Sequence, residues 1–163
     1  SCGMIRRAID EGQRLLELCE NDNLGVRYQL MHLYAYMEDE MHALALHKRF
    51  DAYEETQMLL PLAVLYYKLN QFDKAEDYIK RLTKANKDTK KFLRAAAREQ
   101  LYDYMDEMSP YGYQPFTMEE LLDEVLHSSY LFGSVPYFFP WASKVLAAKT
   151  SEKKSAGKPK LLH

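Results

Sequence analysis

The stretch PLAVLYYKLNQFDKAEDYIKRL, residues 61–82, consists of two segments with helical periodicity and one short break between them. Apolar side chains recur every three or four positions on both sides of Asn70-Gln71, which predicts two amphipathic helices joined by a tight turn. Alanine stands before the turn at Ala63 and after it at Ala75. Because a larger side chain would push two packed backbones apart, these alanines indicate where the helices approach most closely. The stretch therefore predicts an antiparallel helical pair.

A second copy of this pattern lies 32 residues upstream. The offset aligns Leu33-Tyr34 with Leu65-Tyr66, Ala43 with Ala75, and Lys48-Arg49-Phe50 with Lys80-Arg81-Leu82. A period in the low thirties is typical of stacked helical pairs. The sequence therefore predicts an all-α chain, with helical repeats over residues 1–108.

The pattern resembles the tetratricopeptide repeat, a unit of two antiparallel helices with small residues where helix A meets helix B. The positions that carry the resemblance are Leu59, Leu62, Ala63, Tyr66, Ala75, Ile79 and Leu82. The segment NDNLGVRY, residues 21–28, is also similar to the start of helix A in a group of bacterial tetratricopeptide-type proteins. The resemblance implies an α-solenoid of antiparallel helical pairs that acts as a protein-interaction scaffold.

The other copies follow the pattern less closely. Met31 replaces the small residue of helix A in the preceding unit, and residues 4–20 resemble a helix B without its helix A. A lone helix B favours the interpretation that the chain is a piece of a longer array, because its apolar face needs a cover. Residues 91–104 are expected to form the helix A of a third unit.

The last third of the chain departs from the repeat. Residues 109–149 are expected to form a divergent helical cap, in which Thr117-Met118-Glu119-Glu120 has the pattern of a capping box and predicts a helix that begins at Met118. Residues 150–163 form a polar, basic tail that is low in complexity, and we expect Thr150 to Lys160 to be disordered or to be ordered only by crystal contacts.

An aromatic segment, YLFGSVPYFFPW at residues 130–141, is too apolar for an exposed loop and must be buried. Terminal elements of repeat arrays usually close the open end of the core, so the first alternative is that this segment caps the array. The second alternative is that the segment lies in the concave groove and occupies the position of a partner.

Charge and composition exclude several classes of protein. The formal net charge is −2, so the chain as a whole is not expected to bind nucleic acid or a membrane surface. Two cysteines without a C-x-x-C pair predict free thiols in a reducing compartment, and the sequence contains no apolar run of about 20 residues. These features predict a cytoplasmic protein.

The resemblance places a partner-binding groove on the exposed positions of the A helices. The groove residues are Tyr28, His32, Tyr36, Leu60, Val64, Tyr67, Lys91, Arg94, Arg98 and Tyr102. Aromatic and aliphatic positions with basic residues at one end suit a protein or peptide partner that carries an acidic feature, which Arg94 and Arg98 would orient.

The sequence gives little indication of a metal site, a cofactor site or a catalytic site. His42 and His47 are spaced i,i+5 on one predicted helix, which splays them apart, so no metal site and no cofactor are predicted. No nucleophile motif or phosphate loop occurs in the sequence, and the chain is therefore expected not to be an enzyme. A different hypothesis is that the chain is a regulatory domain cut from a larger enzyme or transcription factor. Exposed ends of repeats would also favour a homodimer.

Overall fold

The computed structural model describes residues 2–157, which form ten α-helices and no β-strand. The helices are α1 (Cys2–Leu18), α2 (Val26–Tyr36), α3 (Glu40–Arg49), α4 (Thr56–Lys68), α5 (Phe72–Ala85), α6 (Thr89–Ala97), α7 (Leu101–Met105), α8 (Met118–His127), α9 (Ser129–Gly133) and α10 (Phe138–Ala156). The prediction of an all-α fold is confirmed. None of the helices in this range is both long and apolar enough to cross a membrane.

The turns after α2 and α4 have the same backbone geometry. After α2, Glu38 adopts a left-handed conformation with φ of 56°, and the Asp39 N–H donates to the Tyr34 carbonyl at 2.9 Å. After α4, 32 residues later, Asn70 has φ of 58° and the Gln71 N–H donates to the Tyr66 carbonyl at 2.9 Å. Both are Schellman motifs, in which a left-handed residue ends one helix and lets the next one fold back.

The alanines that bracket the second of these turns are both fully buried. Ala63 in α4 and Ala75 in α5 are each 0% exposed, and α4 packs along α5. Gly12 has the same role between α1 and α2, because a Cβ atom built there would lie 2.8 Å from Cδ2 of Leu30. Small side chains thus set the separation of neighbouring helices in both pairs.

Helix α4 is the central helix of the structure. Every side chain from Met58 to Tyr66 is buried, and α2, α3, α5 and α8 all pack against this helix. A helix that is apolar on all faces has to be covered on all faces, and α4 fits this rule. Pro61 lies within it, five residues after the helix begins at Thr56.

Two segments have a structure that differs from the prediction. The expected third helix A over residues 91–104 is divided into α6 and α7, because Glu99 has φ of 57° and the Gln100 N–H donates to the Ala95 carbonyl in a further Schellman motif. The polar tail is helical as far as Ala156, so the prediction that residues 150–157 are disordered is wrong. Its remaining residues, 158–163, lie outside the described range.

Aspartate side chains cap the N-termini of two helices. Asp22 accepts from the N–H groups of Val26 and Arg27 at the start of α2, and Asp39 accepts from the His42 N–H at the start of α3. Asn70 ends α4 with φ of 58°, and α5 begins after Gln71 without a side-chain cap.

Helix α8 begins at Met118 as predicted, although its capping box does not form. The Thr117 hydroxyl donates to the Gln114 carbonyl rather than accepting from the helix, and the Glu120 carboxylate accepts from the Phe116 N–H.

Candidate functional site

The structure does not bring the ten predicted groove residues together on one open surface. Leu60 and Val64 are each 0% exposed, because both lie in the fully covered helix α4. His32 is 2% exposed and is covered by α8 and α9. The centre of the predicted groove is therefore closed by the chain itself.

Part of this cover is the aromatic segment at residues 130–141. The ring of Tyr130 packs edge-on against Tyr36 with centroids 5.5 Å apart. Phe138 and Trp141 both pack against Tyr67, at 5.4 and 5.2 Å between centroids. Tyr36 and Tyr67 are predicted groove residues, so the segment covers part of the surface that the sequence assigned to a partner.

The basic end of the predicted groove lies apart from its aromatic end. Lys91, Arg94, Arg98 and Tyr102 are exposed on α6, its C-terminal cap and α7, whereas α6 buries Phe92 and Leu93 on its other face. Arg94 lines a shallow cavity against α10 rather than the surface near Tyr28 and His32.

A polar cleft of about 390 Å³ remains open where α2 meets α8. Two predicted groove residues, Tyr28 and His32, contribute to it. The lining residues that sequence reasoning did not select include Gln29, Gln57, Tyr113, Asp123, Glu124 and His127. We refer to this feature as the α2–α8 cleft.

A buried histidine–glutamate pair belongs to the α2–α8 cleft. Nε2 of His32 lies 2.8 Å from Oε1 of Glu124, and Nδ1 lies 2.6 Å from the Tyr28 carbonyl oxygen. A carbonyl can only accept, so Nδ1 must carry a proton that it donates to Tyr28. Glu124 therefore either donates its own proton to Nε2 or accepts one from a doubly protonated ring.

The second carboxyl oxygen of Glu124 has no hydrogen-bond partner among the described residues. Among residues 2–157, Oε2 is the only buried side-chain oxygen or nitrogen without a hydrogen-bond partner. Burial raises the pKa of Glu124 to about 7, and His32 opposes this rise. An unpaired buried acceptor costs about 1–3 kcal/mol, so a ligand that donated to Oε2 would recover part of that free energy.

The side of the cleft near α4 is held by a network around Glu55. The Tyr28 hydroxyl donates to Glu55, and Arg27 bridges Glu55 and Asp22 at 2.9 and 3.0 Å. Burial, followed by the hydrogen bond to Glu55, raises the pKa of Tyr28, which keeps its phenol protonated as a donor. The Tyr28 side chain is thus fixed in place before any ligand arrives.

The connector between α7 and α8 supplies the opposite rim. Gln57 donates to the Tyr113 hydroxyl at 2.8 Å, which anchors the turn-rich residues 109–115 to α4. Asp123 pairs with His127 at 3.3 Å on the outer face of α8. The rim therefore combines an aromatic ring with an acidic group.

Sequence reasoning missed Glu124 because its partner lies far away along the chain. One local signal existed. Leu121, Leu122 and Val125 place an apolar stripe on α8, and Glu124 stands at helical spacing on the same stripe. A carboxylate at such a position is expected to be buried and paired, but the sequence does not indicate His32 as the partner.

Within residues 2–157, no three His, Cys, Asp or Glu side chains lie together as potential metal ligands. Comparison of the chain with protein-family models, with curated proteins and with solved structures finds no match. The site must accordingly be interpreted from its own geometry.

Proposed function

We propose that the chain is a non-enzymatic protein-interaction module built from tetratricopeptide-like helical pairs, and that it binds a partner peptide in the α2–α8 cleft. The repeated Schellman motifs at Glu38 and Asn70 support the repeat, because they recur at the 32-residue offset of the sequence pattern. The buried α4 supports a cleft at the edge of the concave side rather than a groove along it.

The observation that carries the proposal is the unpaired Oε2 of Glu124. The Glu124 side chain is 0% exposed, so a lysine, arginine or amide side chain of the partner that enters the cleft would donate to this oxygen once the groups that cover it move aside. Asp123 adds negative charge at the rim, and the rings of Tyr28 and Tyr113 offer apolar contact to the stem of a long side chain. The cleft therefore suits a basic residue of a peptide, rather than the acidic feature that the sequence alone suggested.

A catalytic role fits the His32–Glu124 pair less well. Both ring nitrogens of His32 are occupied, one by the Tyr28 carbonyl and the other by Glu124. A general base needs a nitrogen within reach of a substrate proton, and this ring offers none without rearrangement.

The proposal is tested by panning a library of random peptides displayed on phage against the intact chain. Peptides enriched by the wild-type chain are expected to share a lysine or arginine. Their binding should weaken by about tenfold or more in Asp123→Lys, because the substitution reverses charge at the rim. Asp103→Lys makes the same charge change on exposed α7 and serves as the matched control.

Enrichment of acidic peptides would contradict the proposal, and so would equal binding by Asp123→Lys and Asp103→Lys. Circular dichroism of both variants must match the wild-type spectrum for the comparison to hold.

A further inference from the structure

A second cleft, which shares no lining residue with the α2–α8 cleft, is lined mainly by lysine. It has a volume of about 600 Å³ and lies between α5, α6 and the last turns of α10. Its six lysines are Lys80, Lys84, Lys90, Lys149, Lys153 and Lys154. Leu146 supplies an apolar wall, and we call this feature the lysine cleft.

The lysine cleft is a product of the tertiary fold. Lys80 and Lys84 come from α5 and Lys90 from α6, whereas the other three come from α10, more than 50 residues further along the chain. The sequence predicted a solvated, disordered end for this part of α10. Folding instead holds its ammonium groups against those of two other helices.

The positive charge of the cleft is only partly neutralised. Glu76 pairs with Lys149, and it lies 3.7 Å from Nζ of Lys80. In the described part of the chain, Lys84, Lys90, Lys153 and Lys154 make no salt bridge. Lys149 lowers the pKa of Lys80, as expected where two ammonium groups are forced close together.

The hydroxyl groups in the cleft do not supply further donors. Thr83 donates to the Lys80 carbonyl at 2.6 Å and Thr150 donates to the Leu146 carbonyl at 3.0 Å. Recognition would therefore depend on ammonium groups, which bind phosphate as point charges and have no planar geometry to match.

We propose that the lysine cleft binds a compact polyphosphate anion. Its volume lies in the range of small-molecule sites, about 300–1,000 Å³, and several phosphate groups would match the excess of positive charge. A single-stranded nucleic acid would need aromatic side chains on which its bases stack, and the lining consists of lysine, threonine and leucine.

The test is isothermal titration calorimetry of the intact chain with inorganic tripolyphosphate near physiological salt. The wild-type chain should bind one equivalent. Lys84→Gln/Lys153→Gln should weaken binding by about tenfold or more, because two charge-assisted contacts are lost. The control, Lys91→Gln/Arg98→Gln, removes the same charge from exposed positions outside the cleft and should bind as the wild type does.

Three results would overturn the proposal: no saturable binding, equal weakening in both double variants, or tighter binding of a polyglutamate peptide or a DNA oligonucleotide than of tripolyphosphate. Co-sedimentation with vesicles that contain a phosphoinositide bisphosphate distinguishes the source of the phosphate. If the chain binds the vesicles and tripolyphosphate displaces it from them, the ligand is a lipid headgroup. If the chain binds tripolyphosphate but not the vesicles, the ligand is a free anion.

Discussion

His32 of α2 and Glu124 of α8 stand 92 positions apart in sequence, yet they form a buried pair at 2.8 Å. Their side chains are 2% and 0% exposed. The pair joins α2 to α8, and it lies within the surface that the sequence assigned to a partner.

Removal of one member of this pair should destabilise the fold strongly. We expect Glu124→Ala to lower the free energy of unfolding by about 3 kcal/mol or more, because it leaves His32 buried without its partner. The double variant His32→Leu/Glu124→Leu replaces both polar groups with apolar ones and should cost much less. Urea denaturation monitored by circular dichroism measures both changes, and equal losses would contradict the buried pairing.

The same pair predicts a pH dependence of stability. Burial raises the pKa of Glu124 in the folded chain from an ordinary value of 4.5 to about 7. The folded state then holds a proton that the unfolded state releases between these values, so stability is lost as the pH rises from about 4.5 through about 7.

Urea denaturation of the wild type and Glu124→Gln at several pH values checks this expectation. The difference between the two stabilities should shift in favour of the glutamine variant as the pH rises. A difference that is constant from pH 4.5 to 7, or that changes in the opposite direction, would show that Glu124 does not hold a raised pKa.

Gly12 fixes the contact between α1 and α2. A Cβ at this position would meet Leu30, which is 1% exposed and has little room to move. Gly12→Val is therefore expected to destabilise the chain by about 1–3 kcal/mol through overpacking. Gly133→Ala adds a methyl group where no atom lies within 4 Å, so its thermal unfolding midpoint should match or exceed that of the wild type.

The left-handed residues that end the helices predict stabilising substitutions. Glu99 has φ of 57°, and glycine adopts this conformation without the steric cost that a Cβ imposes. Glu99→Gly should raise the free energy of unfolding by about 0.5–1 kcal/mol. Arg94→Gly, at an exposed position of α6, should lower it by about 1 kcal/mol, and a loss in both variants would contradict the assigned turn geometry.

The fold class and the first turns could be predicted from sequence because local chemistry specifies them. Apolar periodicity identified the helices, and the alanines at positions 63 and 75 identified the close approach of α4 and α5. Glu99 illustrates the limit. A glutamate gives no local signal for a left-handed turn, so the break between α6 and α7 was not predicted.

The site was less predictable because it depends on long-range packing. Tyr28 and His32 were selected by position in a helix A, and both line the α2–α8 cleft. Leu60 and Val64 were selected by the same rule but are covered, since the rule assumes that one face of helix A is open, whereas α2, α3, α5 and α8 all pack against α4. The position of α8 depends on contacts such as His32–Glu124, which no local pattern encodes.

The most direct measurement for the complete burial of α4 compares the thermal unfolding of Val64→Asp with that of Tyr102→Asp. Val64 is 0% exposed and Tyr102 is 78% exposed, although the sequence assigned both to one groove. A carboxylate at position 64 would be buried without a partner, at a cost of more than about 4 kcal/mol, so Val64→Asp should lose its cooperative transition or most of its helical signal. Tyr102→Asp should unfold as the wild type does. A Val64→Asp chain with wild-type helicity and midpoint would contradict the account and would mean that the groove is open in solution.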